Sequence, residues 1–390
     1  YIILLMENFM KKTKKQSEIS LESFVTIAVV FGLFGYIAKV MGLGNMFNTL
    51  MKTAHDLLLN TVFFIMAIAV LTGALSKLLS EFGVIALINK IISPIMKPLY
   101  NLPGAAALGI LTTFLSDNPA IIGLAKDKGF AKYFKNYQLP TLCNLGTSFG
   151  MGFIVWTFMS SLGNGTEFFK AASLGVLGAV VGSVVSVRIM MHFTKKFYAD
   201  TDEQVEFEEK QIVEEKEDST LMERILNSML EGGKSGVQAG MDIIPGVVVI
   251  CTLVMILTST GTVENGTVVY TGAAYEGVGL IPKLGALLNP ILKPLFGFTS
   301  SECIAFPLTA LGSVGAALGL VPKLLEKNLI TGNDIAVFTA LGMCWSGYLS
   351  THVGMMDTLN ARKLAPKAIL SHTIGGVAAG ISAHFLYLLL

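Results

Sequence analysis

The sequence predicts an all-α membrane protein with two inverted-topology repeats. Each repeat has about three transmembrane helices plus a re-entrant or broken helix, and one extra N-terminal helix precedes them. Of the 390 residues, 53% are hydrophobic and 14% are charged, whereas soluble domains carry about 25% charged residues. Apolar segments of about 20 residues, the length of a membrane-spanning helix, recur along the chain. A motif of the first half also returns in the second at constant spacing.

Composition excludes several other classes of protein. The formal net charge of +1 provides no basic face for a nucleic acid, so we expect no nucleic-acid partner. The four cysteines lie in apolar stretches without a CxxC pair, which indicates small buried side chains instead of zinc ligands or disulfides. The lipid bilayer is therefore the partner that the composition predicts.

The N-terminal region predicts the extra helix and its orientation. Residues 1–22 form a basic segment with lysines at 11, 12, 14 and 15, and the apolar stretch 23–43 follows. No small-residue cleavage site stands out after this stretch, so we interpret it as a retained transmembrane helix and not as a signal peptide. Basic residues favour the cytoplasmic side, which predicts a multi-pass protein of the bacterial inner membrane with a cytoplasmic N-terminus.

A charged segment divides the chain into two apolar halves. Residues 194–235 contain twelve of the 27 acidic residues and six basic ones, so this segment cannot cross a membrane. We interpret it as a solvated, partly helical acidic linker and prefer this to a regulatory or metal-sensing loop, because blocks of charge are usually solvated.

The two halves are related by an internal duplication. Pro94–Tyr100 reads PIMKPLY, and Pro290–Phe296, 196 residues further on, reads PILKPLF. Downstream residues stay in register, and upstream Asp56 matches Asp242 if the second copy carries an insertion within Gly261–Glu276, which we interpret as a polar loop. The prediction is therefore one repeat at residues 44–193 and another at residues 236–390.

Each repeat contains one apolar segment that cannot be a plain span. Gly104–Ala125 has Ser116–Pro119 (SDNP) at its centre, and Ser301–Leu325 has Gly312–Gly315 (GSVG) at the matching place. A break of this kind is tolerated only inside protein or beside a wet cavity, because lipid cannot satisfy the freed backbone groups. The other segments are interpreted as spans: Leu57–Leu79, Leu139–Leu162, Phe169–Phe193, Ile243–Thr260, Ile335–Met356 and Ala368–Leu390.

An odd number of spans per repeat inverts the second repeat relative to the first. Lysine counts agree with the proposed orientation, with seven in the first-repeat loops expected inside and four, at 283, 293, 323 and 327, in the second-repeat loops expected outside. Broken helices in inverted repeats are typical of secondary transporters, whose substrate sites lie near the bilayer midplane.

The geometry of such repeats predicts a substrate site where the two breaks face each other. Helix N-termini there offer unpaired N–H groups, and freed carbonyls can coordinate a cation. We predict no catalytic residue, no metal site and no bound cofactor, with Na⁺ or H⁺ as candidate coupling ions. The candidate substrate-binding residues are Ser116, Asp117, Asn118, Asn144, Thr147, Ser148, Ser301, Glu302, Ser313, Cys344, Ser346 and His352.

Several of these residues also have structural interpretations. Asp117 is an acid inside an apolar segment, which indicates function, although it could also cap the helix near Ala120. Glu302 fits capping as well as substrate contact. His352 could relay protons, but a histidine satisfied by a neighbouring helix is the more common case. Asp56 and Asp242 are interpreted as interfacial caps.

Motifs of soluble enzymes do not favour an enzyme. Gly232–Ser235 reads GGKS but lacks the upstream glycine and strand of a P-loop. Gly146–Gly150 reads GTSFG, yet it lies within an apolar span and not at a strand-to-helix turn. An intramembrane enzyme that uses Ser148 or Cys344 with His352 remains an alternative.

The order of elements resembles the Gate, or nucleoside-recognition, domain. The clearest stretches are Gly240–Gly246 (GMDIIPG) and Lys367–His372 (KAILSH). This domain occurs in concentrative nucleoside transporters, in the membrane part of ferrous-iron transporter B and in spore maturation proteins A and B, and a two-copy chain looks most like the fused or YjiH-like proteins. The resemblance covers Asp56–Leu390 and implies a central site between paired re-entrant hairpins.

The resulting hypothesis is a transporter of a small polar solute or ion, with a nucleoside-like solute as one candidate. The main alternative is a non-transporting membrane scaffold or maturation factor that uses the same fold to bind a partner. The discriminating feature is whether Asp117, Asn118 and Asn144 line a hydrated cavity or are sealed by packing. Homo-oligomerisation is a further expectation, because glycine-rich spans often pack against a second copy.

Overall fold

The computed structural model describes residues 20–163, 165–198 and 220–390. The structure is 79% helical with almost no strands, which confirms the all-α prediction. Residues 1–19, which include the basic N-terminal run, and residues 199–219 of the acidic linker lie outside the described residues. The helices of the first half are α1 Leu21–Met41, α2 Leu43–Asp56, α3 Phe63–Glu81, α4 Val84–Tyr100, α5 Ala106–Leu115, α6 Ala120–Lys126, α7 Lys128–Ala131, α8 Thr141–Thr147, α9 Gly152–Ser161 and α10 Thr166–Phe197.

The second half follows a matching order. Its helices are α11 Leu221–Pro245, α12 Thr252–Thr258, α13 Leu280–Phe296, α14 Ala305–Ala310, α15 Val314–Glu326, α16 Gly332–Cys344, α17 Tyr348–Thr358 and α18 Ala365–Tyr387. The helices α4 and α13 begin and end at positions that the sequence duplication matches. Each is followed by a residue in the left-handed conformation, Asn101 and Gly297. The internal repeat is therefore visible in the backbone.

Six stretches of the described residues are long and apolar enough to cross a membrane. The extra N-terminal helix α1 is one of them. The chain is accordingly a multi-pass membrane protein. The six stretches are Leu21–Met41, Leu43–Glu81, Thr141–Ser161, Thr166–Phe197, Leu221–Thr258 and Arg362–Tyr387.

Two of these spans are long continuous helices that contain a π-helical turn at equivalent places. Leu57–Val62 joins α2 to α3, and Gly246–Cys251 joins α11 to α12. Asp56 and Asp242 therefore lie inside continuous helices, one to four residues before these turns. Their interpretation as interfacial caps is wrong, because a helix interior leaves no free N–H groups for a carboxylate to cap.

The helices α10 and α11 extend into the segment that the sequence predicts as the acidic linker. The helix α10 continues to Phe197, and α11 begins at Leu221 after a capping box formed by Thr220 and Glu223. Residues 194–197 and 221–235 of the predicted linker are thus helical. Much of the charge of Leu221–Ser235 lies on an amphipathic helix, which the charge count alone does not separate from a tether.

The helices α3 and α11 cross tightly and run antiparallel. Gly73 faces Gly232, and Met66 faces Gly240. At one end Arg224 Nε lies 2.7 Å from Glu81 Oε1. Because α10 ends and α11 begins at this face of the bundle, we call it the linker side, and the other face the opposite side.

Contacts at both ends of the bundle show that the repeats are inverted. The first hairpin, α5–α6, returns to the linker side, where Lys195 near the end of α10 lies over the Tyr137 ring at 5.2 Å. The second hairpin, α14–α15, starts on the opposite side, where Asn333 Nδ2 donates to the carbonyl of Phe296 and Asn333 Oδ1 bonds His384 Nδ1 near the end of α18. The helices α10 and α18 are antiparallel, with Gly182 on Gly375.

The segments Leu139–Leu162 and Ile335–Met356 differ from plain spans. The first is interrupted between α8 and α9, where Met151 has a φ of 53°, and the second between α16 and α17, where Gly347 has a φ of 72°. Each repeat therefore contributes two broken elements to the middle of the bundle. The insertion Gly261–Glu276 also contains a short antiparallel hairpin, β1 Thr262–Glu264 and β2 Thr267–Val269.

Candidate functional site

The breaks converge on a cavity of about 420 Å³. The tips of both hairpins, the two interrupted helices α8–α9 and α16–α17, and the crossing pair α3 and α11 enclose it. Of the predicted substrate residues, the structure places five at this cavity. They are Ser116, Asp117, Asn118, Ser313 and Ser346.

The tip of the first hairpin presents Asp117 to the cavity. The backbone turns at Ser116, and Pro119 begins the next helix. Asp117 Oδ1 accepts the N–H of Asn118 at 2.7 Å, while the N–H of Ala120 goes to the main-chain carbonyl of Asp117. The carboxylate therefore does not cap the helix at Ala120, and it is exposed to the cavity.

Asn118 joins the two repeats at this point. Its Nδ2 donates to the carbonyl of Ser346 at 2.7 Å, and Ser346 Oγ donates back to Asn118 Oδ1 at 2.8 Å. Both side chains are buried. Gly150 lies directly against this pair, because a Cβ at that position would collide with Asn118 Oδ1. The reciprocal bonds fix the first hairpin tip onto the break between α16 and α17.

The tip of the second hairpin contains an ordinary helix N-cap. Ser313 Oγ accepts the N–H of Ala316 at 3.3 Å and caps α15. The tip packs against α11 and its π turn, with Gly315 facing Ile243 and Ser313 facing Gly246. The second hairpin thus forms one wall of the cavity.

Sequence reasoning did not assign the polar residues that α3 and α11 contribute. Asp242, Gln238 and Ser235 on α11 and Thr72 on α3 line the cavity. Gln238 Nε2 donates to Asp242 Oδ1 at 2.7 Å. The sequence signal was available, since Asp242 is an acid at the edge of an apolar stretch. Its neighbours in the folded protein, however, belong to other helices, and the sequence does not show which helices cross.

The charged residues that line the cavity are acidic. Asp117 and Asp242 line it, and no lysine, arginine or histidine does so within the described part of the chain. Two carboxylates without a basic partner disfavour an anion and attract a cation or a donor-rich polar group.

Other predicted residues are sealed by packing and do not line the cavity. Asn144 Nδ2 donates to Ser186 Oγ and to the carbonyl of Ala368, both at 3.0 Å. Thr147 and Ser148 donate to main-chain carbonyls one turn earlier in α8. Cys344 is buried and lies 3.7 Å from the carbonyl of Ala179. These groups hold α8, α10 and α18 together behind the cavity wall.

His352 is also enclosed. It is fully buried, and its ring lies 4.7 Å from that of His372 and 5.4 Å from Tyr348. Ser148 donates to Asn144, and no contact among the described residues joins Ser148 or Cys344 to His352. This geometry offers no assembled nucleophile and base. Ser301 and Glu302 lie elsewhere, at the base of the second hairpin.

The comparisons with known proteins agree with this architecture. No family model and no curated protein matches the sequence. Solved structures of CNTnw, a concentrative nucleoside transporter, do match. A doubly substituted form in an outward-facing state has a TM-score of 0.54 and 13% identity, covering 95% of this chain and 85% of that one.

Two further CNTnw structures match over similar lengths. A singly substituted form in an intermediate state has a TM-score of 0.54 and 13% identity, with 93% of this chain and 85% of that one covered. An inward-facing, substrate-bound structure has a TM-score of 0.50 and 12% identity, with 100% and 96% covered. The chain therefore shares the fold of these concentrative nucleoside transporter structures.

Proposed function

We propose that this chain is a membrane transporter that moves a small polar solute or ion through the cavity between its two hairpins. The observation that carries the proposal is the convergence of four helix breaks on one cavity near the middle of the bundle. Breaks of this kind release backbone groups that need polar partners, and a wet, solute-binding cavity supplies them. The likeness in fold to CNTnw supports a transporter and makes a nucleoside-like solute one candidate.

The position of the cavity suggests how access alternates. Its lining on α3 and α11 includes Thr72 and Ser235, which lie between the hairpin tips and the linker-side ends of these helices. On the other flank, the second hairpin tip packs against Ile243 and Gly246. We propose that this arrangement gives access from the linker side, and that release of the second hairpin from α11 gives access from the other.

The acidic lining of the cavity restricts the kinds of solute that we expect it to bind. With Asp117 and Asp242 facing it, we propose a neutral solute rich in hydrogen-bond donors or a cation, with Na⁺ or H⁺ as the coupling ion. A carboxylate- or phosphate-bearing solute would meet two like charges in a site of low dielectric constant.

Uptake into proteoliposomes tests the proposal. We expect uptake of at least one neutral or cationic member of a panel of nucleosides, nucleobases, amines and amino acids, and no uptake of dicarboxylates. The variants Asp117→Asn and Asp242→Asn should each reduce that uptake about tenfold or more, because each removes a charged partner of the solute. The matched control is Asp357→Asn, which alters an exposed aspartate paired with Arg362 and should leave uptake unchanged.

A flat panel, extended to Na⁺ and divalent cations, would contradict transport if the protein is folded and monodisperse in the same preparation. The scaffold alternative then gains weight, and it predicts that neither uptake nor ligand-induced thermal stabilisation depends on Asp117 or Asp242. Stabilisation by a ligand at 100 times its Kd is about 2.7 kcal/mol for a single site, so binding without uptake would be detected separately.

A further inference from the structure

A second pocket, separate from the transport cavity, lies at the opposite side of the bundle. Its volume is about 200 Å³, and it is enclosed by the end of α12, the base of the second hairpin and the end of α15. The polar residues that line it are Thr258, Ser259, Thr260, Glu302, Lys323 and Lys327. The proposed transport function does not use this pocket.

Two lysines on one helix end give the pocket its basic character. Lys323 bonds Glu326 Oε2 at 2.7 Å and lies over the ring of Tyr275 at 4.8 Å. Lys327 Nζ has one described partner, Ser259 Oγ at 3.5 Å, which is at the limit of a hydrogen bond. Burial and, next, the like charge of Lys323 lower the pKa of Lys327. Glu326 and Glu302 oppose this shift in part, and an anion bound beside Lys323 and Lys327 would offset more of the repulsion between the two ammonium groups.

Glu302 adds a charge of the opposite sign at the same pocket. Its Oε2 accepts from Ser301 Oγ at 3.1 Å, which leaves acceptor capacity on the carboxylate. Phosphate alone would therefore meet one unfavourable group. A ligand with a phosphate and a nearby amine satisfies both lysines and the carboxylate, and hydroxyls at Ser259 and Thr260 can supply further hydrogen bonds.

The pocket also lies at the level where lipid headgroups are found. The span Leu221–Thr258 ends at its edge, and Met255, Leu324 and Leu329 provide an apolar wall. Lysines between helices at a membrane interface bind lipid phosphates. A bound headgroup phosphate would also account for lysines 323 and 327 on the side that the sequence predicts to lie outside.

We propose that this pocket binds phosphoethanolamine, with the phosphate held by Lys323 and Lys327 and the amine held by Glu302. The ligand bridges α12 and the base of the second hairpin. The same chemistry occurs in a membrane phosphatidylethanolamine and in the free headgroup, so the test separates these sources.

Native mass spectrometry of the detergent-purified protein measures the binding. The probes are phosphatidylethanolamine, phosphatidylglycerol and soluble phosphoethanolamine. We expect phosphatidylethanolamine to bind more tightly than phosphatidylglycerol. The double variant Lys323→Gln/Lys327→Gln should weaken both lipids about tenfold or more, because charge-assisted hydrogen bonds to phosphate are lost. The variant Glu302→Gln should abolish the preference for phosphatidylethanolamine while phosphatidylglycerol still binds.

Lys283→Gln, on α13 at the same side but outside the pocket, is the matched control and should bind like the unaltered protein. Binding of soluble phosphoethanolamine as tight as that of the lipid identifies the free headgroup as the ligand, and binding of the lipid alone identifies the membrane. Equal lipid binding by the double lysine variant would overturn the proposal, and so would a preference for phosphatidylethanolamine that survives Glu302→Gln. Circular dichroism of each variant ensures that loss of binding is not loss of folding.

Discussion

Replacing Gly232 by alanine should lower the free energy of unfolding by about 1–3 kcal/mol, whereas the same change at the adjacent Gly233 should raise it by about 0.5–1 kcal/mol. Gly232 lies where α11 crosses α3, and a Cβ there would collide with the carbonyl oxygen of Gly73. Because the obstacle is backbone and not a flexible side chain, the two helices would have to separate. Gly233 has room for a Cβ, which would meet Val70 Cγ1 of α3 at 3.6 Å, an ordinary van der Waals distance.

Thermal unfolding of the two variants in detergent measures this difference. Both changes add one methyl group at neighbouring positions of one helix. The two variants therefore differ little in helix propensity, and they can be measured under the same conditions. Alanine in place of a helical glycine that has room for a Cβ raises the free energy of unfolding, because the unfolded chain loses conformational freedom. Equal midpoints for the two variants would show that α3 and α11 do not cross as described.

The sequence predicts some of the breaks in the chain and not others. The duplication and the hairpin break at Ser116–Pro119 could be predicted, because a proline behind three polar residues is incompatible with a lipid-exposed helix. The breaks at Met151 and Gly347 lie in stretches of small and apolar residues. Such residues are equally compatible with a plain span, so tertiary contacts and not local propensity decide these interruptions.

For the cavity, sequence reasoning found the residues at the breaks and missed those beside them. Asp117 and Asn118 could be predicted because they lie in a break that the sequence shows, and Ser346 because it is a polar residue within an apolar segment. The sequence suggests that Asp242 is an interfacial cap and not a cavity residue, because its position at the cavity depends on the packing of α11 beside the hairpin tips. Asn144 has the same residue type as Asn118 but points between α10 and α18, and no pattern in the sequence distinguishes the two orientations.

Asn118→Ala should have the second large effect, because it removes the link between the repeats at the cavity wall. The change leaves the carbonyl of Ser346 without its Asn118 donor, and Ser346 Oγ without its shorter bond. An unsatisfied buried polar group costs about 1–3 kcal/mol. We expect a loss of stability in that range and at least a tenfold loss of solute uptake, because the hairpin tip that presents Asp117 is no longer held in place.

A double-mutant cycle separates this link from a general loss of packing. Asn118→Ala and Ser346→Ala should be non-additive, with a coupling of about 0.5–3 kcal/mol in thermal unfolding, because each variant removes the bond from Ser346 Oγ to Asn118 Oδ1. The matched control combines Asn118→Ala with Ser161→Ala at the far end of α9, where the hydroxyl bonds only its own helix. That pair shares no partner, and its effects should add within about 0.5 kcal/mol. Additivity in both cycles would mean that Ser346 Oγ does not bond Asn118 Oδ1, and the hairpin would then have to be held onto the second repeat by the main-chain carbonyl of Ser346 and by packing.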